Sequence, residues 1–201
     1  SVTGMPLLSN DMHLDHTIPD TWYEAQLTAG DFNVAGVTLP GIPFVVVGHN
    51  ARIAWGFTLL YADVQDVYVE QTRGDNYKTP SGWQPFLHDR ETIHVRGGRD
   101  VTVDVLRTSH GPVITPLLPH EKRTLALRWT IYDPATVTMP LYQMDSAQNW
   151  EQFRIAFALF GGPPQNAVYG DIDGNIGYQA IGKVPMRPGG LAAVPITDSS
   201  H

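Results

Sequence analysis

The feature that most constrains how this chain folds is residues 44–70, where apolar runs of strand length follow one another with polar breaks between them. Phe44, Val45, Val46 and Val47 form a continuous apolar run, as expected of a strand buried on both faces. Gly48, His49 and Asn50 interrupt it and read as a turn. Residues 52–59 resume with Ile53, Trp55 and Phe57 alternating on one side, which predicts a central strand with Trp55 buried. A loop carrying Asp63 and Asp66 follows, and Val67, Tyr68 and Val69 open another strand. Strands this short and this close together need frequent turns, and the 19 Gly and 16 Pro of the 201 residues supply them. With 42% hydrophobic and 16% charged residues the chain has the composition of an ordinary globular protein, long enough for a substantial core.

The flanking sequence extends the pattern. Residues 6–8 read as a short strand, 22–27 and 32–39 as a strand pair about Ala29-Gly30-Asp31, and 91–95 with 101–107 as a pair about Gly97-Gly98. Leu125, Leu127 and Trp129 mark a further strand, while residues 73–89 read as a polar surface loop pinned by Trp83 and Phe86. One helix stands out. Asn149 followed by Gln152 matches a capping box, and Trp150, Phe153, Phe157 and Phe160 fall at helical spacing on a core-facing stripe. Gly161-Gly162-Pro163-Pro164 stops it, and a shorter helical turn is expected at residues 140–144. Residues 165–172 and 175–181 form a hairpin across Asp173-Gly174. Asp171, Asp173 and Asn175 suggest a calcium loop only superficially, since the glycine is misplaced for an EF-hand and no Glu follows at the right distance.

Several classes of function are disfavoured by charge and hydropathy. A formal net charge of −7 argues against nucleic acid or an anionic membrane as partner. No run approaches the roughly 18 apolar residues that span a bilayer. The absence of Cys fits an exported bacterial protein but also many cytosolic ones. There is no initial Met and no signal peptide, so the chain reads as processed or as part of something longer. Two histidine motifs draw the eye. Asp11, His13 and Asp15 alternate, so an extended chain puts them on one face, as a metal cluster or as a polar loop crossing the end of a sheet. His110, before Gly111-Pro112, reads as a turn histidine satisfied by backbone rather than a general base.

The blocks Gly-His-Asn, Ile-Ala-Trp-Gly-Phe-Thr and Asp-Val-Gln-Asp of residues 48–66 resemble the central block of the penicillin acylase (penicillin amidase) family of N-terminal-nucleophile hydrolases. Pro-Leu-Leu-Ser-Asn-Asp-Met-His-Leu, Trp-Tyr-Glu-Ala, Val-Ala-Gly-Val-Thr-Leu-Pro-Gly, Arg-Thr-Ser-His-Gly-Pro and Gln-Asn-Ala-Val-Tyr-Gly-Asp-Ile-Asp-Gly-Asn-Ile-Gly-Tyr are similar to the family in order and spacing, across nearly the whole chain. The resemblance implies an α+β fold, mainly antiparallel β-sheet with few helices, forming a single partial domain over residues 1–201 of the four-layer αββα hydrolase fold.

It further implies hydrolysis of the amide of a small acylated amine, such as a β-lactam side chain or an acyl-homoserine lactone. The nucleophile would be an N-terminal serine whose own α-amino group, with a pKa near ~7.7, serves as base. Ser1 does not fit that role. Residues 2–5 look like the turn after the family's first β-chain strand, which sets the serine about ten residues upstream. The family's oxyanion asparagine belongs to a segment beyond residues 1–201, so the chain alone is expected to be inactive. What the chain carries is the surround of the site: His13 and the backbone amide of Leu59 at the oxyanion, and Leu14, Val47, Leu141 and Gln165 facing the acyl pocket. Asp63, the carbonyl of Gln65, and Asp66 match the family's structural calcium loop, and hard oxygen donors suit that ion. The usual further donor, a proline near the tail, aligns poorly with Gly189-Gly190. No organic cofactor is expected. The implied partners are the rest of the β chain and an α chain from the same precursor, in a bacterial periplasm or outside the cell. Two other readings remain at this level: a scaffold module with an acylase-like sheet, and a metal-dependent hydrolase using Asp11, His13 and Asp15.

Overall fold

The computed structural model describes residues 2–187 and 195–197. In chain order the strands are β1 (Tyr23–Ala29), β2 (Phe32–Thr38), β3 (Val47–Asn50), β4 (Ile53–Leu59), β5 (Gln65–Glu70), β6 (Thr72–Arg73), β7 (Asn76–Thr79), β8 (Gly82–Pro85), β9 (Leu87–Ile93), β10 (Val101–Arg107) and β11 (Thr124–Trp129). Two helices, α1 (Leu141–Asp145) and α2 (Trp150–Phe157), precede the last strands, β12 (Gln165–Asp171) and β13 (Ile176–Ile181). The α+β class expected from the sequence, mainly antiparallel with few helices, is the one adopted. The chain divides into two compact units, Ser1–Ala62 with Asp133–Val184, and Asp63–Tyr132 with Pro185–His201.

The first unit is built on one six-stranded sheet in the order β1-β2-β3-β4-β12-β13. Its neighbouring strands β4 and β12 come from segments more than a hundred residues apart in sequence, with Trp55 opposite Tyr169 and Ile53 opposite Asp171. Ile53, Trp55 and Phe57 on β4 and Ala167 and Tyr169 on β12 pack into one core with the helices, so the alternation seen in the sequence is a true two-fold period. Trp55 is fully buried, as expected, and its indole N–H donates to the carbonyl of Val46 at 2.9 Å. Beneath it lies an aromatic stack: Phe153 sits 4.6 Å from Phe157 and 5.2 Å from Tyr169 between ring centroids, and Trp150 lies 5.1 Å from Tyr169. The stripe on α2 is therefore core. Its cap is also as read, with Asn149 Oδ1 accepting from the Gln152 N–H, though the Gln152 side chain accepts from Gln148 rather than completing the box on Asn149.

Two expectations in this unit are corrected. Residues 6–8 form no strand. The strand placed at 44–47 lies instead at Val47–Asn50. Gly36 and Gly48 explain the shift, because they stand opposite each other in the β2–β3 ladder. A Cβ on Gly48 would meet the Ala35 carbonyl at 2.1 Å, so the glycine is a close-packing position inside a strand, not a turn. The apolar run before it is buried by another route: the Val45 N–H donates to Asp145 Oδ2 at 3.0 Å and the Val46 N–H to the Val37 carbonyl at 3.0 Å.

Among its described residues the second unit has no comparable apolar centre. It holds a β9–β10 ribbon, a β5–β11 pair and a three-stranded β6-β7-β8 sheet. That small sheet corrects the loop expected over residues 73–89. Phe86 is buried beside Tyr77 at 5.5 Å, whereas Trp83 stays on the surface under the Lys78 ammonium. Strands of two to four residues are too short to show alternation.

Candidate active site

The chemistry expected of this chain centres on the end of β4, and the local geometry follows from how β3 leaves it. β3 pairs with β4 only at Gly48–Trp55 and His49–Ala54. Before Gly48 the chain peels away towards Val37 and Asp145, which strips the β4 edge of its partner at Phe57. Asn10 fills the gap. Its Oδ1 accepts from the Phe57 N–H at 2.6 Å and its Nδ2 donates to the Phe57 carbonyl at 3.0 Å, so one side-chain amide imitates a ladder residue. The approach is possible because residue 56 is glycine: a Cβ there would meet Asn10 Oδ1 at 2.5 Å.

Along a strand, successive residues aim their N–H and C=O groups at opposite edges. Phe57 aims at Asn10, away from β12, so Thr58 aims at β12 and Leu59 aims its N–H the way Phe57 does. The Leu59 amide is thus held by a paired strand yet turned out of the β4–β12 ladder. Gln165 stands directly opposite Leu59 in register. The register thus sets these two expected site residues side by side. The strand end is fixed by a further group: Asn166 Nδ2 donates to Thr58 Oγ1 and to the Leu59 carbonyl, both at 3.1 Å, and Tyr178 Oη bonds Asn166 Oδ1 at 2.6 Å.

The other expected residues differ in burial. His13 and Leu14 are on an exposed segment, where His13 Nε2 is 3.6 Å from Asp11 Oδ2. Asp15 takes no part in that pair, and the described residues contain no group of three His, Cys, Asp or Glu that could hold a metal ion. Val47 and Leu141 are both buried, and Leu141 belongs to the core cluster with Trp55 and Met144. Ser1 and Gly189-Gly190 lie outside the described residues. A concavity of about 390 Å³ beside Pro6, His49, Ala54 and Gly170 does not include Leu59 or Gln165. The Asp171 turn holds as read: Asp171 Oδ1 accepts from the N–H groups of Asp173 and Asn175, and Asp173 pairs with Arg52 at 2.8 Å.

In the second unit, Asp63 and Asp66 share a cation that the sequence reading did not supply. Arg187 Nε donates to Asp66 Oδ1 at 2.9 Å, while its terminal nitrogen donates to the Asp63 carbonyl at 2.9 Å and lies 3.6 Å from the Asp63 carboxylate. Hydrogen bonding to Asp66 raises the arginine pKa further. Asp66 Oδ2 and one Asp63 oxygen stay unbonded among the described residues, and the Gln65 backbone lies between them in sequence. The donor set therefore retains hard oxygens for a cation, although Arg187 already balances one of the two carboxylates. His110 is also corrected: its Nδ1 is 2.9 Å from Glu70 Oε1, both side chains are nearly inaccessible, and its ring stacks on Tyr68 at 3.9 Å. Arg187, Asn166 and Asn10 were not singled out from the sequence because each acts on a strand remote from it in the chain.

Comparison with known proteins follows the same lines. The family model described as penicillin amidase matches residues 1–201. The chain is 31% identical to the acyl-homoserine lactone acylase QuiP of Pseudomonas aeruginosa over 97% of its own length and 25% of that protein. It is 33% identical to the penicillin acylase 2 proenzyme of Pseudomonas sp. strain SE83, over 100% of its own length and 27% of that protein. Among solved structures, the thermostable penicillin G acylase from Alcaligenes faecalis superposes with a TM-score of 0.80 at 30% identity, covering 90% of this chain and 33% of that one. The chain spans about a quarter of the length of the curated relatives it matches.

Proposed function

The chain belongs to the penicillin amidase family, and on that premise we propose that it forms part of the catalytic β chain of an amide hydrolase acting on small acylated amines. The single observation that carries the proposal is the Leu59 amide, which alternation along β4 turns away from β12 as it turns the Phe57 amide towards Asn10. A tetrahedral intermediate needs preorganised donors where its oxyanion develops, and a backbone N–H fixed by sheet pairing meets that need without reorganising. In this reading the hydroxyl of an N-terminal serine, contributed from outside residues 1–201, attacks the acyl carbonyl. Its α-amino group takes the proton and returns it to the leaving amine, and water then releases the acyl group. His13 joins Leu59 at the oxyanion. Leu14, Val47, Leu141 and Gln165 border the acyl group, whose kind is a penicillin side chain or the acyl tail of a homoserine lactone, as the names of the relatives suggest.

The partners are the remainder of the β chain and an α chain from one precursor, and the setting is the periplasm or the extracellular space. No helix among the described residues is long and apolar enough to cross a membrane. Asp63, Asp66 and the Gln65 carbonyl would contribute oxygens to a structural calcium ion, which supplies charge and rigidity but no step of the reaction. Hydrolysis of phenylacetyl and long-chain acyl anilides tests the reading. The complete processed enzyme should turn over one class or the other, and the 201-residue chain neither. Turnover by the isolated chain that Ser1→Ala abolishes would make Ser1 the nucleophile and overturn the placement of the serine.

A further inference from the structure

We infer that Asn166, held by Tyr178, is a positioning residue that fixes the end of β4 and thereby the direction of the Leu59 N–H. The inference rests on the reading of that N–H as an oxyanion donor. Both hydrogens of Asn166 Nδ2 are used, one on Thr58 Oγ1 and one on the Leu59 carbonyl, and Oδ1 takes the Tyr178 hydroxyl. The orientation of the amide is not arbitrary: flipped, its oxygen would face the Leu59 carbonyl, acceptor against acceptor. Tyr178 reaches it because the two share a sheet face, Val168 pairing with Tyr178 and Asn166 with Ala180, which makes them diagonal neighbours.

The need for such a group is local. After Leu59 the ladder ends, and the next backbone bond, from the Leu60 N–H to the Pro164 carbonyl, is long at 3.4 Å. Leu59 itself is half exposed, so side-chain packing restrains it less than a core residue. Asn166 grips the peptide groups on both sides of the Leu59 α-carbon less directly than a ladder bond would, one through the Thr58 side chain and one through the Leu59 oxygen. An oxyanion donor set a fraction of an ångström off its target loses most of its effect.

The test uses the complete processed enzyme with Asn166→Ala, Tyr178→Phe and the double variant, reading kinetics and backbone amide exchange together. Asn166→Ala should speed exchange at the Thr58 and Leu60 amides about tenfold, as a frayed strand end does. It should lower kcat by roughly 10–100-fold while KM changes little, since misplacement of this kind acts on the transition state. Tyr178→Phe should do less. The double variant should be no worse than Asn166→Ala alone, because the tyrosine acts through the asparagine. Unchanged exchange in Asn166→Ala overturns the positioning role and leaves the reading of the site untouched. Faster exchange with unchanged kcat overturns the assignment of Leu59 as donor, and the inference with it. Additive losses in the double variant show that Tyr178 does not work through Asn166.

Discussion

The two units of this chain are held together by different physics. Around Trp55 the first unit buries a continuous set of aromatic and aliphatic side chains, with Val45, Met144, Phe153 and Ala167 all inaccessible. The second unit buries few side chains and joins its strands by charged contacts: His110 to Glu70, Arg187 to Asp66, Arg107 to Asp89, and His88 between Asp75 and Asp104. Hydrogen bonds to Asp104 and then Asp75 raise the His88 pKa. Apolar burial is non-directional and tolerates adjustment, whereas each charged contact needs its partner in place. The unit with the candidate catalytic amide is the one with the apolar core, which is the firmer support for a donor that must not move.

The largest effect should come from the core of the first unit. Trp55→Ala removes the indole and orphans the Val46 carbonyl, and should cost about 3–5 kcal/mol in chemical denaturation. A loss below 1 kcal/mol, as for a surface site, would break the contrast between the units.

Next in size is the second unit's buried pair. His110→Ala leaves Glu70 enclosed without its partner and should cost about 2–4 kcal/mol. Glu70→Gln on the same background should recover part of the loss, because the unpaired charge is then gone. A His110→Ala loss that Glu70→Gln does nothing to relieve would mean that the Tyr68 stacking, not the polar contact, is what matters.

The third effect separates the units by pH. Asp145 belongs to the apolar unit; burial pushes its carboxyl up to about 7 against the opposing pull of the Val45 N–H, and its Oδ1 has no partner among the described residues. A folded pKa above the unfolded value means stability that is full below about 4 and lost as pH rises through 7. Asp145→Asn should therefore raise the stability at pH 8 by about 1–2 kcal/mol and leave it unchanged or lower at pH 4. Equal melting shifts at both pH values would contradict the buried, neutral carboxyl.

Smallest is the response to calcium. Because Arg187 already balances Asp66, millimolar calcium should raise the melting midpoint only slightly, following RT ln(1 + [L]/Kd) with a weak Kd. Arg187→Met should enlarge that response by freeing Asp66 Oδ1. A strong response to zinc that His13→Ala abolishes would move the metal to the Asp11–His13 segment.

Much of the first unit is legible in the sequence because its cause is local. Ile53, Trp55 and Phe57 show the two-fold period, Asn149 and the aromatic stripe show the helix, and Asp173-Gly174 shows the hairpin. What is hidden depends on partners far along the chain. The Val47–Asn50 strand is disguised by glycines that only the β2 neighbour explains. Arg187 meets Asp63 and Asp66 across more than a hundred residues, and nothing near either carboxylate announces it. The Leu59 amide came from family resemblance, but the edge it faces is marked by Asn10, whose partner Phe57 lies 47 residues away.

The central claim is that the Leu59 N–H stabilises the oxyanion, and Leu59→Pro in the complete processed enzyme tests it most directly. Proline removes that one donor, and since the group faces away from β12 no ladder bond is lost with it. With folding verified by circular dichroism and melting, kcat for the preferred acyl anilide should fall about 10²–10³-fold while KM moves little. A folded Leu59→Pro enzyme with kcat within about twofold of the unmodified protein would contradict the account.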